Sequence, residues 1–382
     1  MKITLISPDK KQYKANLHGH STLSDGKLAP EALRDAYKAH GYSILAITDH
    51  ERPHSHKALS QPDFILLTGY ECYIRPDQQA RYNPYGKEVH LNLFARDPDN
   101  TTMICFNAPY LKYVQRDNAF DEITARAGSE RPREFTRSYI NEYIRTAREN
   151  GYLVAYNHPY WSMDDEADIL GYEGLFSLEI CNYNSYVLNG LEHNGALYDK
   201  LLQSGRRIFC HGADDNHNDF PFDHPMNDAF GGFTMVMPED FTYGSVIAAM
   251  EKGKMYASMG PVFSELTVED GVLHVACSGV SSIFVYDGGK TPWGVGASMF
   301  TWLWIASTYP SLPSCSSGCE SDRKMVFFLA FPVVMVYSHP NSSFKSSARI
   351  EAVLFNASPS DGLITMVPCA GSVRVPLPPF HC

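Results

Sequence analysis

The chain contains no long uninterrupted hydrophobic segment. A membrane-spanning helix needs roughly 18 or more apolar residues, and the nearest candidate, MVFFLAFPVVMVY at 325–337, is too short and contains Pro332. The N-terminal segment MKITLISPDKKQYKANLH lacks the apolar core of a signal peptide. The sequence therefore predicts a cytoplasmic protein that has no membrane partner.

Basic residues are scarce relative to acidic ones. The 382 residues include 32 Lys and Arg against 43 Asp and Glu, which gives a formal net charge of −11. Affinity for DNA or RNA rests largely on cations that neutralise phosphates, so a polynucleotide partner is not expected. A small phosphorylated substrate held by metal ions is compatible with this charge.

Paired cysteines and several catalytic motifs are also missing. The nine cysteines show no paired spacing through the first three quarters of the chain, and most of these lie in apolar, strand-like runs. We therefore expect buried free thiols in a reducing compartment. The motifs GxSxG, the Walker P-loop and GxGxxG are absent, which argues against covalent serine hydrolysis, NTP hydrolysis and dinucleotide chemistry.

Apolar runs alternate with amphipathic segments through the first two thirds of the chain. Helical spacing predicts helices at 30–40, 136–150, about 190–204 and about 242–252. Buried strands are predicted at 43–50, 64–71, 89–94, 152–158, 175–182 and 207–217. This alternation predicts an α/β fold with a largely parallel sheet or barrel. The loop-rich region 95–135 has a length that suggests an insertion or lid.

Side chains of the metal-ligand type follow most of these apolar runs. His18 and His20 form an H-x-H pair, and alternate residues share one face of an extended segment. The complete set is His18, His20, Asp25, His50, Glu71, His90, His158, Asp215 and His217. Nine ligands are too many for one four-coordinate site, so two or three metal ions are indicated, with Glu71 as the bridging carboxylate.

The order of these motifs resembles the polymerase and histidinol phosphatase (PHP) superfamily over about residues 14–260. The motifs are H-x-H-x4-D-G, T-D-H, a strand-end Glu, an isolated His, N-H-P and D-x-H. The resemblance implies a distorted (β/α)7 TIM-like barrel with a trinuclear metal site. It assigns His18, His20, Glu71 and Asp215 to one ion, Glu71, His90 and His158 to a second, and Asp25, His50 and His217 to a third. Asp25 stands where some members have His, which implies weaker binding of the third ion or a preference for Mn or Fe over Zn.

The C-terminal third is distinct in composition. The segment GKMYASMGP at 253–261 resembles stand-alone bacterial members with a small C-terminal β extension. We predict a barrel domain at 1–262 and a β-like extension at 263–382 with an irregular tail from about 295. Residues 291–382 contain 15 Ser and 10 Pro but only 9 charged side chains. A shifted reading frame near the 3′ end would produce such a composition, and an irregular β module with long loops is the alternative.

The residues and the resemblance together predict a metal-dependent phosphoesterase. The expected substrate is a small molecule such as a nucleotide, a sugar phosphate or a histidinol-phosphate-like compound. A hydroxide that bridges two of the two or three Zn, Mn or Fe ions would attack phosphorus, with Glu71, Asp215 and His217 as catalytic residues. Three alternatives stay open: hydrolysis of an amide, carbamate or carboxylic ester, a nuclease, and a module that binds metal structurally.

Substrate contacts are expected from a few further polar residues. Asn157 and Asn182 end predicted strands. Arg131 and Arg133 lie in the predicted lid, where a guanidinium can clamp a phosphate. His54 lies in the loop after His50. Two adjacent acids, Asp214 and Asp215, precede His217, and D-x-H favours Asp215 as the ligand because it shares a face with His217. Asp214 is then expected to point to a different partner.

Overall fold

The computed structural model describes residues 2–76, 86–269 and 272–278, followed by short strand segments between 285 and 376. The strands are β1 Lys2–Ile6, β2 Tyr13–Asn16, β3 Ile44–Ala46, β4 Ile65–Leu67, β5 Gly69–Ile74, β6 Val89–Ala95, β7 Met103–Ile104, β8 Arg126–Ala127, β9 Tyr152–Tyr156, β10 Ser177–Asn182, β11 Phe209–Ala213, β12 Phe233–Val236, β13 Met255–Ser258, β14 Phe263–Glu269, β15 Val272–Cys277, β16 Val285–Tyr286, β17 Lys290–Thr291, β18 Gly294–Val295, β19 Met325–Leu329, β20 Met335–Ser338, β21 Ala352–Val353, β22 Leu363–Met366 and β23 Val373–Pro376.

The helices lie between the strands of the first part of the chain. They are α1 Pro30–Ala39, α2 Lys112–Arg116, α3 Arg137–Glu149, α4 Pro159–Ser162, α5 Glu166–Ile169, α6 Tyr183–Asn189, α7 Gly195–Gln203 and α8 Tyr243–Glu251, with 3-10 helices at Lys57–Leu59, Ala108–Tyr110 and Phe120–Glu122. Strands and helices alternate, which confirms the predicted α/β class.

The longer helices lie where amphipathic spacing predicts them. Pro30 occupies the first turn of α1, where its missing N–H costs nothing. The hydroxyl of Thr136 accepts a hydrogen bond from the Tyr139 backbone amide and caps the N-terminus of α3. The segments predicted near 190–204 and 242–252 are α7 and α8. The sequence did not predict α6, because its seven residues are too few for a clear periodic signal.

Contacts divide the chain into two compact units, Gln12–Ala257 and the combination of Met1–Lys11 with Ser258–Cys382. In the first unit one group of strands has the order β13-β12-β2-β3-β4, and a second sheet has the order β11-β10-β9-β6-β5. Strands β2, β3 and β4 are parallel neighbours, and so are β9, β10 and β11. The predicted boundary between residues 262 and 263 stays a prediction.

The expectation of a largely parallel sheet needs correction at β6. This strand is antiparallel to both of its neighbours, β5 and β9, and β12 is antiparallel to β2. The pattern of apolar residues is the same in either chain direction, so it cannot reveal this reversal. As a consequence, the beginning of β6 lies at the same edge as the carboxyl ends of the parallel strands.

Backbone hydrogen bonds beyond the strands draw the carboxyl ends together. The Thr48 amide donates to the Gly19 carbonyl at 2.7 Å, and the Glu71 amide donates to the Thr48 carbonyl at 3.1 Å. The His20 amide donates to the Asn216 carbonyl at 2.9 Å. These bonds place the segments that follow β2, β3 and β11 next to one another and next to β5.

The region predicted to be an insertion or lid folds as short elements that include β7, α2 and β8. The Arg52 guanidinium donates to Asp117 at 2.5 Å and to Glu122 at 3.1 Å. The Arg116 guanidinium donates to the Thr22 carbonyl at 2.8 Å. Through these bonds α2 is fixed against the loops that follow β2 and β3.

The second unit contains the antiparallel sheet β1-β14-β15. The tail that was predicted to be irregular contains the antiparallel pairs β19–β20 and β22–β23. The remainder of the tail, and with it the hypothesis of a shifted reading frame, lies outside the described residues. Among the residues that the structure describes, no helix has the length and apolar composition needed to cross a membrane.

Candidate metal centre

The nine predicted ligands all lie at one edge of the strands of the first unit. They are His18, His20 and Asp25 after β2, His50 after β3, Glu71 in β5, His90 in β6, His158 after β9, and Asp215 and His217 after β11. His90 opens an antiparallel strand and so reaches this edge from the opposite chain direction. The fold therefore brings together the whole predicted set.

Glu71 is the centre of the cluster. Its Oε1 lies 3.0 Å from His90 Nδ1 and 3.3 Å from both His18 Nε2 and His158 Nε2. Its Oε2 lies 3.0 Å from His50 Nδ1 and 3.4 Å from His20 Nε2. One carboxylate thus contacts five imidazoles, each at a distance that a shared cation would bridge.

The second carboxylate of the cluster is Asp215. Its Oδ1 lies 2.9 Å from His20 Nε2 and 3.1 Å from His18 Nε2, and the two imidazole nitrogens are 3.3 Å apart. Asp25 lies beside His50 and His217, at 3.6 and 3.5 Å. Asp25 therefore joins imidazoles that follow two different strands, β3 and β11.

Four groups of these side chains place one ligand atom each within 4.8 Å of the others. The groups are His20, Asp25, His50 and His217; His18, His158 and Asp215; His18, His20 and Glu71; and His50, Glu71 and His90. They overlap because Glu71 and several imidazoles each border more than one group. The three ligand sets implied by the family resemblance draw on the same residues, and their division among ions stays a prediction.

The cluster is buried on one side and open on the other. His18 and His20 are fully buried and Glu71 is 1% exposed. The side chain of His217 is 21% exposed and that of Asp25 is 33% exposed. A substrate can therefore approach from the side of Asp25 and His217.

The backbone conformation orients several of these side chains towards the cluster. A Cβ on Gly19 would lie 2.5 Å from Asn216 Oδ1, so a larger residue between His18 and His20 would displace the Asn216 side chain. His158 has φ of 25° and Asp215 has φ of 55°. Such left-handed conformations cost on the order of 1–3 kcal/mol in residues other than glycine and are found preferentially at functional sites.

Buried polar side chains hold the ligands from behind. Glu179 accepts a hydrogen bond from His18 Nδ1 at 2.9 Å and another from the His158 backbone amide at 2.9 Å. The Asn157 amide donates to Glu71 at 2.7 Å, and the Asn182 amide donates to Asp215 at 3.0 Å. The two asparagines were predicted to bind substrate, whereas in the structure they orient carboxylates of the cluster.

The remaining predicted substrate contacts have other partners in the structure. The Arg133 guanidinium is buried in a bidentate ion pair with Glu51. Arg131 pairs with Glu134 and Glu142. The His54 ring lies 4.7 Å from the His56 ring. Because both guanidinium groups are already engaged by carboxylates, the structure does not support a phosphate clamp at either arginine.

Asp214 points away from the ligands, as expected. Its carboxylate accepts hydrogen bonds from the Tyr37 hydroxyl and from the backbone amides of Phe230, Gly231 and Gly232. Burial raises the pKa of Asp214 to about 7 against these hydrogen bonds. Asp215, the second of the two adjacent acids, is the one that enters the cluster.

Two aromatic residues border the cluster. The Tyr113 hydroxyl, on α2, donates to Asp25 Oδ2 at 2.7 Å, and its ring stacks 6.2 Å from the His50 ring. The Trp161 ring lies edge-on 5.1 Å from His90 and 4.9 Å from His158. Sequence reasoning did not find Tyr113 because its partner lies 88 residues earlier in the chain.

Electrostatics within the cluster favour ionised carboxylates. Burial alone raises the pKa of Glu71, yet His18, His90 and His50 hold that pKa well below its usual range. Burial lowers the pKa of His90, but Glu71 and Glu88 outweigh it and raise the pKa to about 10. The carboxylates are therefore charged acceptors at neutral pH.

This donor set fits divalent metal ions. Imidazole nitrogens and carboxylate oxygens suit Zn, Mn and Fe. Among the described residues, no Lys or Arg side chain forms an ion pair with Asp25, Glu71 or Asp215. Asp25 Oδ1 is buried and has no hydrogen-bond partner. Three clustered carboxylates without a lysine or arginine counterion need positive charge from another source, which bound metal ions would supply.

The fold and the cluster define an α/β protein with a candidate multinuclear metal centre at the carboxyl edge of its strands. No protein-family model matches the chain, and no curated protein is similar to it. Several solved structures are similar. One is a two-domain protein from Bacteroides vulgatus that contains a predicted PHP-like metal-dependent phosphoesterase, with 13% identity, a TM-score of 0.41 and coverage of 97% of this chain and 96% of that one.

Two further structures are similar over part of the chain. One, from Bifidobacterium adolescentis, is named as a proposed metal-dependent phosphoesterase and has 18% identity and a TM-score of 0.34, covering 55% of this chain and 89% of that one. The other is an amidohydrolase from Chromobacterium violaceum with bound sulfate and no metal, at 16% identity and a TM-score of 0.38, covering 63% and 96%.

Proposed function

We propose that this protein is a metal-dependent hydrolase that cleaves a phosphate ester of a small molecule. The observation that supports this most directly is the contact of one buried carboxylate, Glu71, with five imidazoles. A carboxylate so placed can be shared by neighbouring ions, which is the arrangement used by two-metal phosphoryl transfer sites.

The ligands divide among two or three Zn, Mn or Fe ions in the proposal. His18, His20, Glu71 and Asp215 would hold one ion, and Glu71, His90 and His158 a second. Asp25, His50 and His217 would hold a third at the exposed side. Bound ions would supply an ionised water at neutral pH and neutralise phosphoryl oxygens.

The residues of the chain contribute orientation and access. Glu71 and Asp215 hold the inner imidazoles in register, and Asn157 and Asn182 keep these carboxylates in place through hydrogen bonds. His217 lies on the open side, where the leaving group would depart. We therefore assign Glu71, Asp215 and His217 to catalysis.

A covalent thiol route has no support in the geometry. The free thiols of Cys72, Cys181 and Cys210 are buried, and burial raises the pKa of each. A thiol is reactive as the thiolate, so these cysteines are inert at neutral pH. Direct attack by water is the route that remains.

We also propose that the strands of Gln12–Ala257 are the distorted barrel that the family resemblance implies. The isolated bridges Gly19–Asn216 and His50–Glu71 support this, because they link the ends of β2 and β11 and the ends of β3 and β5. The active edges of such barrels are the carboxyl ends of the strands, which is where the cluster lies.

The test combines metal analysis with a substrate panel. The full-length protein, purified without chelator, should contain at least two metal ions per chain and hydrolyse members of a panel of nucleotides and sugar phosphates. Glu71→Gln should lose most of the bound metal and turnover by at least about 100-fold, because the shared ligand is gone.

Glu173→Gln, at an exposed position, is the matched control and should behave as the original chain. Fewer than one metal ion per chain would overturn the metal centre. Turnover of amides or carboxylic esters but of no phosphate ester would overturn the choice of substrate bond.

A further inference from the structure

Arg75 is a cation beside the metal centre that the proposed ligand sets do not use. It directly follows β5, the strand that carries Glu71. Glu71 and Tyr73 are two residues apart and so share one face of that strand. The Arg75 Cζ atom lies 5.2 Å from the centroid of the Tyr73 ring, so the guanidinium stacks on that same side.

The Tyr73 ring connects Arg75 to the ligands. Its centroid lies 5.8 Å from the His90 ring and 6.2 Å from the His50 ring. The register of β5 and β6 pairs Tyr73 with His90. The Tyr73 ring therefore neighbours both the guanidinium and two ligand imidazoles.

Among the described residues, no carboxylate forms an ion pair with Arg75, in contrast to the other arginines near the cluster. Arg52, Arg131 and Arg133 each form ion pairs with glutamate or aspartate. In the part of the chain that the structure describes, Arg75 forms no ion pair, and its buried Nε has no hydrogen-bond partner. A buried N–H without an acceptor is unfavourable until an acceptor arrives.

The neighbouring carboxylate does not fill this role. Glu88 interacts electrostatically with Arg75, but its Oε2 is 3.2 Å from His90 Nε2 and is occupied by that imidazole. A guanidinium presents its donors in a planar fork that matches the oxygens of a phosphate. An uncharged amide or ester group offers no comparable pair of anionic acceptors.

We propose that Arg75 binds the phosphoryl group of the substrate and selects phosphate esters over neutral esters and amides. This inference rests on the proposed function and names the part of the site that would set its substrate class. Arg75 is then the phosphate-binding arginine that sequence analysis sought at Arg131 and Arg133.

The test measures binding of inorganic phosphate to the full-length, Mn-loaded protein by calorimetry, with acetate as the singly charged comparison. Arg75→Gln should weaken phosphate binding about tenfold or more, because a hydrogen-bonded charge pair is lost. Acetate binding should change less, and the metal content should not change. Arg75→Lys should restore part of the affinity. Arg34→Gln, at a half-buried helix position where Arg34 pairs with Asp35, is the matched control and should bind phosphate as before.

Phosphate binding also separates this inference from the proposed function. A large loss of phosphate affinity at unchanged metal content supports the role of Arg75, even if no substrate of the enzyme has yet been found. If Arg75→Gln binds phosphate within twofold of the original affinity, the role of Arg75 is overturned, even if the protein is an active phosphoesterase. Loss of metal together with phosphate also overturns it, because Arg75 would then act on the metal centre. If Arg75→Gln does not fold, Arg75→Lys is measured against the same limits, with a threefold loss as the expected result.

Where turnover is found, the kinetic constants give a second readout. Arg75→Gln should raise KM more than it lowers kcat, since the guanidinium contacts the phosphoryl group in both the bound substrate and the transition state. An unchanged KM for a phosphate monoester would count against the proposal.

Discussion

Glu179 shows how a single buried residue can organise ligands that come from distant parts of the chain. It lies in β10, is fully buried, and accepts hydrogen bonds from His18, from the His158 backbone amide and from Asn182. Hydrogen bonds of this kind fix the tautomer and orientation of a ligand imidazole. Glu179 therefore presents His18 Nε2 to the cluster.

We expect Glu179→Gln to weaken metal binding about 10–100-fold, the usual effect of removing such a partner. The substitution keeps the size of the side chain but exchanges one acceptor oxygen for a donor, so the His18 and His158 interactions cannot both persist. Metal affinity is measured by competition with a chelator of known affinity. Glu173→Gln, exposed just before β10, is the control. An affinity within twofold of the original would contradict the role given to Glu179.

His211 makes the stability of the protein depend on pH. The side chain is fully buried in β11 and bonded to Ser177, and burial lowers its pKa to about 4. An unfolded histidine has a pKa of about 6.5. Between these pH values His211 is protonated in the unfolded chain but neutral in the folded chain. The free energy of unfolding therefore falls as the pH drops from about 6.5 to about 4.

His211→Gln should remove up to about 3 kcal/mol of this pH-dependent loss, which corresponds to about 1.36 kcal/mol for each unit of pKa difference. The measurement is urea unfolding at several pH values from 4 to 7, with the slope against pH compared between variants. Any stability that the substitution costs equally at every pH does not change the slope of the free energy of unfolding against pH. His40→Gln, at an exposed histidine, controls for the loss of an imidazole as such. An identical slope in His211→Gln would rule out this contribution.

The site residues that could be predicted from the sequence differ from those that could not in how far along the chain their hydrogen-bond partners lie. The histidines and carboxylates at the strand ends could be predicted, because parallel strands bring their carboxyl ends to one edge. Glu179 was missed although a carboxylate in the middle of an apolar run was a visible signal. Its partner His18 lies 161 residues away, and no local pattern reveals such a pair.

At the level of elements, local signals set the helix bounds well and the strand bounds less well. Helix α1 lies within one residue of its prediction because Pro30, an apolar stripe and Gly41 all agree. The predicted strand at 43–50 contains only three residues of regular strand, β3. The polar residues after β3 leave the sheet, and this places His50 in the cluster. The observed strand is therefore shorter than the predicted one.

Element α2 links the inserted region to the site in a way that sequence analysis predicted only in outline. A lid was expected from the length of region 95–135. The structure adds the chemistry: Tyr113 donates to Asp25, and the neighbouring Arg116 donates to carbonyls of the loop after β2. The hydrogen bond of Tyr113 to a candidate ligand depends on tertiary packing, which periodicity does not encode.

For the whole molecule, composition limits the classes of binding partner. Packing then decides which arginine side chains are available to bind a phosphate. The net charge of −11 argues against a polynucleotide partner. Arg131 and Arg133 looked equally suited to a phosphate from sequence. Their contacts separate them from Arg75, since buried or exposed carboxylates already neutralise both.

The Glu51–Arg133 pair fixes the inserted region to the body of the first unit. Arg133 Nη1 lies 2.5 Å from Glu51 Oε1, and Nη2 lies 2.8 Å from Oε2. The side chains are 0% and 1% exposed, and Arg133 also donates to the Tyr73 carbonyl at 2.7 Å. Two charges buried this deeply are tolerated because each satisfies the other, so removing one partner leaves the other without compensation.

We expect Arg133→Met to lower the free energy of unfolding by about 3–5 kcal/mol, the usual cost of an isolated buried charge. The double variant Glu51→Gln with Arg133→Met should recover much of this loss, because the uncompensated carboxylate is gone. Urea unfolding of the full chain measures both, and Arg131→Met, at a half-exposed ion pair two residues away, should cost at most about 1 kcal/mol. A loss below about 1 kcal/mol in Arg133→Met, or no recovery in the double variant, would show that the pair does not hold the inserted region. Since α2 belongs to that region, Arg133→Met should also loosen the hydrogen bond between Tyr113 and Asp25 and so weaken metal binding at the ligand set proposed to include Asp25 before metal binding at the other proposed sets.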